Sequence, residues 1–188
     1  QAVVNFTWKG GKWAYEKPSK DDRLTVRNPD GTREPLTQLN PSKARRTLGV
    51  WQAVDGNEKK QTEHLTKKAR KWARAVTRSS LTRHDAIMGM NTSLYPSLTF
   101  GLMSTTMTEA QCDEIFKPIR KGVLPKMGYM RTMPSVMVHG PEKFGGAGVK
   151  DLHTLQGIAH IKAILDKAGT ESPTGALLAQ VIEGHTLE

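Results

Sequence analysis

The feature that most constrains this chain is a basic amphipathic segment at residues 58–78. Its apolar residues recur at the spacing that places them on one side of an α-helix; they are Leu65, Ala69, Trp72, Ala73 and Val76. The opposite side holds a row of cations that we call the basic stripe: Lys60, Lys67, Arg70, Lys71, Arg74 and Arg78. A helix of this length is about 30 Å long, so the stripe is long enough to follow a nucleic-acid backbone.

Most charged helix faces are simply solvated, and such faces commonly mix Lys with Glu. This mixing is almost absent here, because residues 59–83 contain nine Lys or Arg and one acid, Glu63. A row of like charges repels itself unless an anionic partner neutralises it or solvent screens it. The pattern therefore favours an anionic partner over a merely solvated face.

The charge of the chain is confined to one half of it. The 188 residues are enough for one domain or two small units. The net charge is +10; residues 1–100 carry 19 basic and 9 acidic groups, whereas residues 101–188 carry 9 of each. This asymmetry is typical of a single binding face.

Cysteine content and hydropathy indicate in which cellular compartment we expect the protein. The single cysteine, Cys112, excludes an internal disulfide and favours an intracellular protein, nuclear or cytoplasmic. The sequence has no run of about 18 apolar residues, so we expect no membrane span and no membrane partner. The first residues lack an initiator Met and the pattern of a signal peptide. We therefore expect a piece of a longer polypeptide.

Residues 3–16 have the pattern of a β-hairpin. Gly10-Gly11 between two alternating runs predicts a two-residue primed turn, which sets Trp8 opposite Trp13. This register places four aromatic side chains on one face: Phe6, Trp8, Trp13 and Tyr15. Such a face can stack nucleic-acid bases, but a hairpin packed on a core explains it more simply.

The rest of the first section predicts turns and short strands. Residues 16–23 are a polar loop, in which the adjacent acids Asp21-Asp22 indicate a solvated turn rather than a metal site. A second hairpin is predicted at residues 24–36 around the turn at 28–31. Residues 44–52 predict one apolar strand, in which Gly49 indicates a bulge or a close backbone approach. Asn57 is a suitable cap for the basic helix.

Four more helices are predicted after the basic one. Thr82 and Asp85 are predicted to form a capping box at the start of a helix that has Met88 on its apolar side. Pro96 should kink or end this helix. Thr108 and Gln111 open a helix to about residue 124. A helix is predicted at 151–168, with six apolar residues: Leu152, Leu155, Ile158, Ala159, Ile161 and Leu165. Ser172 should cap a short last helix at 173–183.

Residues 125–148 are rich in Gly and Pro and predict irregular structure. The run Gly-Gly-Ala-Gly at 145–148 superficially resembles a phosphate loop. It follows no predicted strand and precedes no Lys-Ser/Thr pair, as a P-loop requires. The run therefore indicates a tight turn.

No catalytic constellation is apparent. His153 and His160 lie two helical turns apart, but no neighbouring acid or Cys completes a metal set. Cys112 precedes Asp113 and Glu114, which should raise its pKa and make it a poor nucleophile. A Gly-x-Ser-x-Gly elbow is also absent. We predict no catalytic residue and no metal site in this chain.

The order of several short motifs suggests a family. They are Trp-Lys-Gly-Gly-Lys-Trp at 8–13, Arg-Thr-Leu-Gly-Val-Trp at 46–51, Trp72 in the basic helix, Leu-Thr-Arg at 81–83, Leu-Tyr-Pro-Ser-Leu-Thr-Phe-Gly at 94–101, Leu-Pro-Lys-Met-Gly at 124–128, and Gly-Gly-Ala-Gly-Val at 145–149. The order and spacing of these motifs resemble those in the C-terminal palm and thumb of reverse transcriptases from non-LTR (LINE-type) retrotransposons. The resemblance covers about residues 1–165.

The resemblance implies roles for two sets of residues. The family's primer grip, which steers the primer end, would correspond to Leu48, Gly49 and Val50, followed by Trp51. The helices that follow resemble the family's thumb, which packs along the template–primer duplex. The basic stripe would then contact phosphates of an RNA–DNA or DNA duplex without specifying its sequence.

The chain departs from the family in one essential respect. The aspartates that bind two Mg²⁺ ions in the family's polymerase site, including an aromatic-x-Asp-Asp hairpin, are not found here. Asp21-Asp22 has the wrong setting for that hairpin. The resemblance therefore implies no cofactor in this segment, whereas Mg²⁺ and the catalytic residues would belong to the rest of the reverse transcriptase chain.

The expected fold is α+β, with N-terminal β-hairpins followed by a mainly helical, thumb-like bundle. We expect a palm-edge hairpin region at 1–56, a helical thumb-like region at 57–124, and a Gly/Pro-rich connection with C-terminal helices at 125–188. Two other functions remain open at this point. One is a stand-alone basic module that binds nucleic acid, and the other is an interaction domain whose basic helix docks an acidic protein.

Overall fold

The computed structural model describes residues 2–3, 5–16, 25–38, 40–168 and 170–186. The fold is α+β, as predicted, with short β-hairpins first and helices afterwards. The chain divides into two compact units, Gln1–Lys60 and Gln61–Glu188, which we call the β unit and the helical unit.

The described strands of the β unit form two-stranded sheets. In chain order they are β1 (Ala2–Val3), β2 (Asn5–Lys9), β3 (Lys12–Glu16), β4 (Thr25–Arg27), β5 (Arg33–Pro35), β6 (Thr37–Gln38), β7 (Arg45–Thr47) and β8 (Val50–Gln52). β2 pairs with β3, β4 with β5 and β7 with β8, all antiparallel. β1 pairs with β6 in parallel.

The first hairpin has the predicted register, with Trp8 opposite Trp13. Gly10 and Gly11 have φ angles of +57° and +77°, the left-handed conformation that a primed turn requires at both positions. Phe6 and Trp8 remain 40% and 60% exposed. The expected burial of the aromatic face against a core is therefore wrong for these two side chains.

The second hairpin is also confirmed. The Asp30 carboxylate accepts hydrogen bonds from the backbone N–H and the hydroxyl of Thr32 at 2.9 and 2.6 Å, and Gly31 has a φ of +85°. These bonds hold the pKa of Asp30 below its usual value. The loop that contains Asp21 and Asp22 falls on residues outside the described part of the chain.

The prediction of a single strand at 44–52 is wrong. The segment is a hairpin in which Arg46 pairs with Trp51. Leu48 and Gly49 form its turn with φ angles of +49° and +95°, and Leu48 is 91% exposed. The apolar run suggested one continuous strand, whereas Gly49 permits a reversal that brings the two halves together.

The helical unit contains seven α-helices among the described residues. They are α1 (Lys59–Arg78, whose first two residues belong to the β unit), α2 (Arg83–Gly89), α3 (Tyr95–Leu102), α4 (Glu109–Lys126), α5 (Ser135–His139), α6 (Leu152–Ala168) and α7 (Pro173–Thr186). A π-helical turn at Met90–Leu94 joins α2 to α3, and a 3₁₀ turn occupies Glu142–Phe144. None of the described helices has the length and apolar character needed to cross a membrane.

The predicted helix caps are present. Thr82 with Asp85 and Thr108 with Gln111 both form capping boxes. The Asn57 side chain accepts a hydrogen bond from the N–H of Lys59 at the start of α1. These side chains satisfy N–H groups that lack intrahelical partners, so they fix where the helices begin.

The helical path changes just before Pro96 rather than at it. Pro96 is the second residue of α3, which continues directly from the π-helical turn, so its missing N–H leaves a carbonyl of that turn without a helical donor. The π-helical turn precedes it, and the Tyr95 N–H donates to the Met90 carbonyl. Met88 is 52% exposed, which contradicts its predicted place on the apolar side.

A single hydrophobic core joins α1, α3, α4, α5 and α6. Its largest fully buried apolar side chains are Leu65, Leu94, Leu98, Leu102, Met107, Ile115, Ile119, Val123, Leu124, Met127 and Leu152. The glycine-rich run is a tight turn, as predicted. Within it and directly after it, the N–H groups of Ala147 and Val149 donate to the carbonyls of Met137 and Val138 at 2.8 and 3.1 Å.

The apolar residues of α6 are only partly buried. Ile158, Ile161 and Leu165 are 56%, 60% and 73% exposed, whereas the buried residues are Leu152, Ala159 and the polar Gln156. Apolar periodicity shows which residues share a helix side. The neighbouring segments determine how much of that side is covered, and for α6 they leave part of it exposed.

Candidate nucleic-acid interface

The helix α1 separates its apolar and basic residues as its sequence predicts. Leu65, Ala69, Ala73 and Val76 are at most 5% exposed, and Trp72 packs half-buried against the core. All six residues of the basic stripe are exposed. The apolar side therefore anchors α1 in the helical unit while the cations extend into solvent.

Most of the stripe is not neutralised within the protein. Lys67, Arg70, Lys71, Arg74 and Arg78 form no ion pair with any carboxylate in the part of the chain that the structure describes. The Lys60 amine lies 5.7 Å from the centre of the Trp51 ring. Cations that lack internal counter-charges remain available to an external anion.

A groove between α1 and α4 extends the positive surface beyond α1. We call it the basic groove, and its volume is about 460 Å³. Its lining contains five cations and one acid: Arg70, Arg74, Arg78, Lys117, Lys121 and Glu114. Three small or apolar residues complete it, Ala73, Pro118 and Gly122, together with Thr66 and Thr77.

Two residues of α4 give the groove lining a particular character. A Cβ atom at Gly122 would lie 3.0 Å from the Thr77 hydroxyl oxygen, so glycine permits the close approach of α1. That hydroxyl is held in place because it donates to the Ala73 carbonyl at 2.7 Å. Pro118 lacks an N–H, which leaves the Glu114 carbonyl without its usual helical donor.

A second groove of about 620 Å³ adjoins the first along α4. The two grooves share Glu114, Lys117 and Lys121, and the second adds Asp113, Arg120 and Arg131 among others. The Arg120 guanidinium donates to the Ser135 hydroxyl at 2.8 Å. The charge of this second surface is mixed, with four cations and two acids, so of the two grooves the basic groove has the larger excess of positive charge.

Lys117 and Lys121 are not among the site residues predicted from the sequence. The second half of the chain is neutral overall, which hid a local pair of cations. A signal was nevertheless present, because residues four apart on a helix lie on the same side. The sequence could have paired Lys117 with Lys121, but it could not show that they face Arg70 and Arg74 across a groove.

The four residues that resemble a primer grip lie in the hairpin of β7 and β8. Leu48 and Gly49 form its turn, and the Leu48 side chain extends almost fully into solvent. Val50 is 3% exposed and Trp51 is half-buried. An exposed apolar residue with a positive φ is unusual and is found where a turn or a contact requires it.

Within the described ranges, no three His, Cys, Asp or Glu residues lie close enough to hold a metal ion. His153 is exposed and His160 is half-buried. Burial, and after it the charges of Asp151, Asp113 and Glu109, raise the pKa of the Cys112 thiol to about 11. The thiol therefore stays protonated near neutral pH, as predicted, although Glu114 is not among the causes.

A comparison of this chain with models of protein families finds no match, and a comparison with curated proteins also finds none.

Proposed function

We propose that this chain is the duplex-gripping segment of a reverse transcriptase, with α1 as the helix that contacts the template–primer duplex. The observation that carries the proposal is the geometry of α1. Its apolar side is buried, and along its other side five exposed cations form no ion pair with any described carboxylate. Such a row binds phosphates and positions a duplex without specifying its sequence.

The motif resemblance supports the choice of a reverse transcriptase over other basic proteins. The hairpin of β7 and β8 would act as the primer grip through Leu48 to Trp51, and the duplex would be RNA–DNA or DNA. The polymerase aspartates and their Mg²⁺ ions would come from the rest of the enzyme. This chain by itself would bind nucleic acid without extending a primer.

The proposal predicts that reversing the stripe charges abolishes duplex binding. Lys67→Glu, Lys71→Glu and Arg74→Glu together should weaken binding of a labelled RNA–DNA hybrid about a hundredfold or more, because each lost phosphate contact also removes counterion release. For five contacts, the slope of log K against log salt should be roughly −4.5 in the native chain. The triple variant should show a much shallower slope. Fluorescence anisotropy across a salt series measures both quantities.

The matched control reverses three exposed lysines elsewhere, Lys143, Lys162 and Lys167. It applies the same change in net charge and should retain most of the affinity. Equal losses of affinity in both triple variants would show that the effect comes from net charge alone. Unchanged binding in the stripe variant would exclude α1 as the helix that grips the duplex.

Competition with polyglutamate tests the acidic-protein alternative. If it displaces the hybrid at matched charge concentration, the acidic-protein alternative is favoured.

A further inference from the structure

We propose that the basic groove between α1 and α4 holds the sugar–phosphate backbone of one unpaired nucleic-acid strand, beside the duplex on the outer side of α1. The inference rests on the proposed function and adds a second strand-binding surface to it. It assigns a role to Lys117, Lys121 and Thr66, which the basic stripe does not include.

The charge of the groove selects an anion. Arg70, Arg74 and Arg78 contribute from α1, and Lys117 and Lys121 from α4. Among the described residues, none of these five forms an ion pair, not even with Glu114 in the same lining. A cleft lined mainly by one sign of charge focuses its field and concentrates counter-ions.

The size of the groove favours a single strand over a duplex. The volume of about 460 Å³ is that of a site for a small ligand or a short stretch of one strand.

The apolar lining favours an organic phosphate chain over a hydrated inorganic ion. Ala73, Pro118 and Gly122 present carbon to the interior of the groove, and sugars and bases can cover such a surface. Single-strand sites commonly combine a positive track for the backbone with surfaces that contact sugars and bases.

The position of the groove favours nucleic acid over an acidic peptide. Arg70, Arg74 and Arg78 belong to both the basic stripe and the groove lining. A strand that leaves a duplex on the outer side of α1 can therefore pass into the groove without leaving the positive surface. An acidic peptide held in the groove alone would not use this continuity.

Thr66 provides an independent sign of a missing partner. It lines the groove and is 7% exposed, and its hydroxyl has no hydrogen-bond partner among the described residues. Native buried hydroxyls almost always have a partner. The hydroxyl oxygen is itself buried in the free protein, so a ligand in the groove would reach it only after a change of χ1 that turns it toward the groove.

The test separates the groove from the stripe by charge reversal in the full chain. Lys117→Glu with Lys121→Glu alters the groove only, Lys67→Glu with Lys71→Glu alters the stripe outside the groove lining, and Lys162→Glu with Lys167→Glu is the matched control. Anisotropy is measured with a labelled oligothymidylate of about twelve nucleotides, within the usual site size for single strands, and with a blunt RNA–DNA hybrid of the same length.

The groove variant should bind the single strand at least about tenfold more weakly, and its salt slope should fall by roughly 1.4 for two lost contacts. Its affinity for the blunt hybrid should stay within about twofold of the native value. The stripe variant should show the opposite pattern. Lys117→Gln with Lys121→Gln, which removes charge without reversing it, should show a smaller loss in the same direction. A circular-dichroism melt verifies that each variant is folded.

The two proposals fail in different ways. If the groove variant binds the single strand as the control does, or loses both ligands equally, the groove proposal is overturned while the duplex grip stands. If the stripe variant keeps its affinity for the hybrid, the duplex grip falls instead. Displacement of the single strand by polyglutamate at equal charge concentration would also overturn the groove proposal, in favour of an acidic peptide.

Discussion

At the residue scale, Gln156 shows how one buried polar side chain connects distant segments. Its amide nitrogen donates to the Met107 carbonyl at 2.9 Å, and its amide oxygen accepts from the Met107 N–H at 3.1 Å. The side chain is 5% exposed and Met107 is 2% exposed. A single side chain therefore satisfies both peptide groups of a residue 49 positions away.

Replacing Gln156 should cost more than an average substitution. Gln156→Ala removes both bonds and leaves two buried peptide groups unpaired, so we expect the free energy of unfolding to fall by about 2–4 kcal/mol. Gln180→Ala, at an exposed position of α7, should change it by about 0.5 kcal/mol or less. Urea unfolding followed by circular dichroism measures both. Similar stability of the two variants would mean that the Met107 contact is unimportant.

At the element scale, the start of α6 depends on one carboxylate. Asp151 precedes the first residue of α6 and accepts a hydrogen bond from the Thr154 N–H at 2.7 Å. Burial raises the pKa of Asp151. The hydrogen bonds from Thr154 and the charge of nearby His139 outweigh burial and hold this pKa below its usual value. The ionised carboxylate is thus the form that stabilises the helix.

The cap predicts a pH-dependent stability. Because the pKa of Asp151 is lower in the folded state, its contribution is present above about pH 4 and disappears as the pH falls through the folded pKa. Asp151→Ala should lower the free energy of unfolding by about 0.5–2 kcal/mol near neutral pH.

Asp151→Asn is the matched variant, since it keeps the acceptor oxygen and removes the titration. The stability difference between native protein and Asp151→Asn should shrink or change sign from pH 6 to pH 3. Denaturant unfolding at each pH measures it. A difference that stays constant over this range would show that Asp151 does not titrate with folding.

At the scale of the whole molecule, the helical unit has one core rather than a set of helix pairs. Buried residues from α1, α3, α4, α5 and α6 belong to the same cluster. Ile119 on α4 is fully buried within it. The outer side of α1 and the basic groove therefore depend on helices that follow much later in the chain.

This shared core predicts a global effect from one substitution. Ile119→Ala should lower the free energy of unfolding by about 2–5 kcal/mol and should speed amide hydrogen exchange in α1 and α6 as well as in α4. Ile161→Ala is the matched control, because Ile161 on α6 is 60% exposed, and its effect should be about 0.5 kcal/mol or less. Faster exchange confined to α4 would contradict a single core.

The sequence by itself determined the features that depend on contiguous residues. Gly10-Gly11 specified a turn and its register, because a primed turn needs positive φ at both positions. The helical periodicity of α1 determined which side carries the cations. Capping boxes likewise placed the starts of α2 and α4, since each acts within four residues.

Only the tertiary structure decided which surfaces face each other or stay uncovered. The turn at Leu48-Gly49 required the pairing of β7 with β8, and the exposure of Ile158 and Ile161 depended on what packs beside α6. The basic groove joins Arg70 to Lys117 across 47 residues of sequence. Local propensity acts over a few residues, whereas burial and charge clustering depend on which distant segments approach, and here Gly122 lets α4 approach α1.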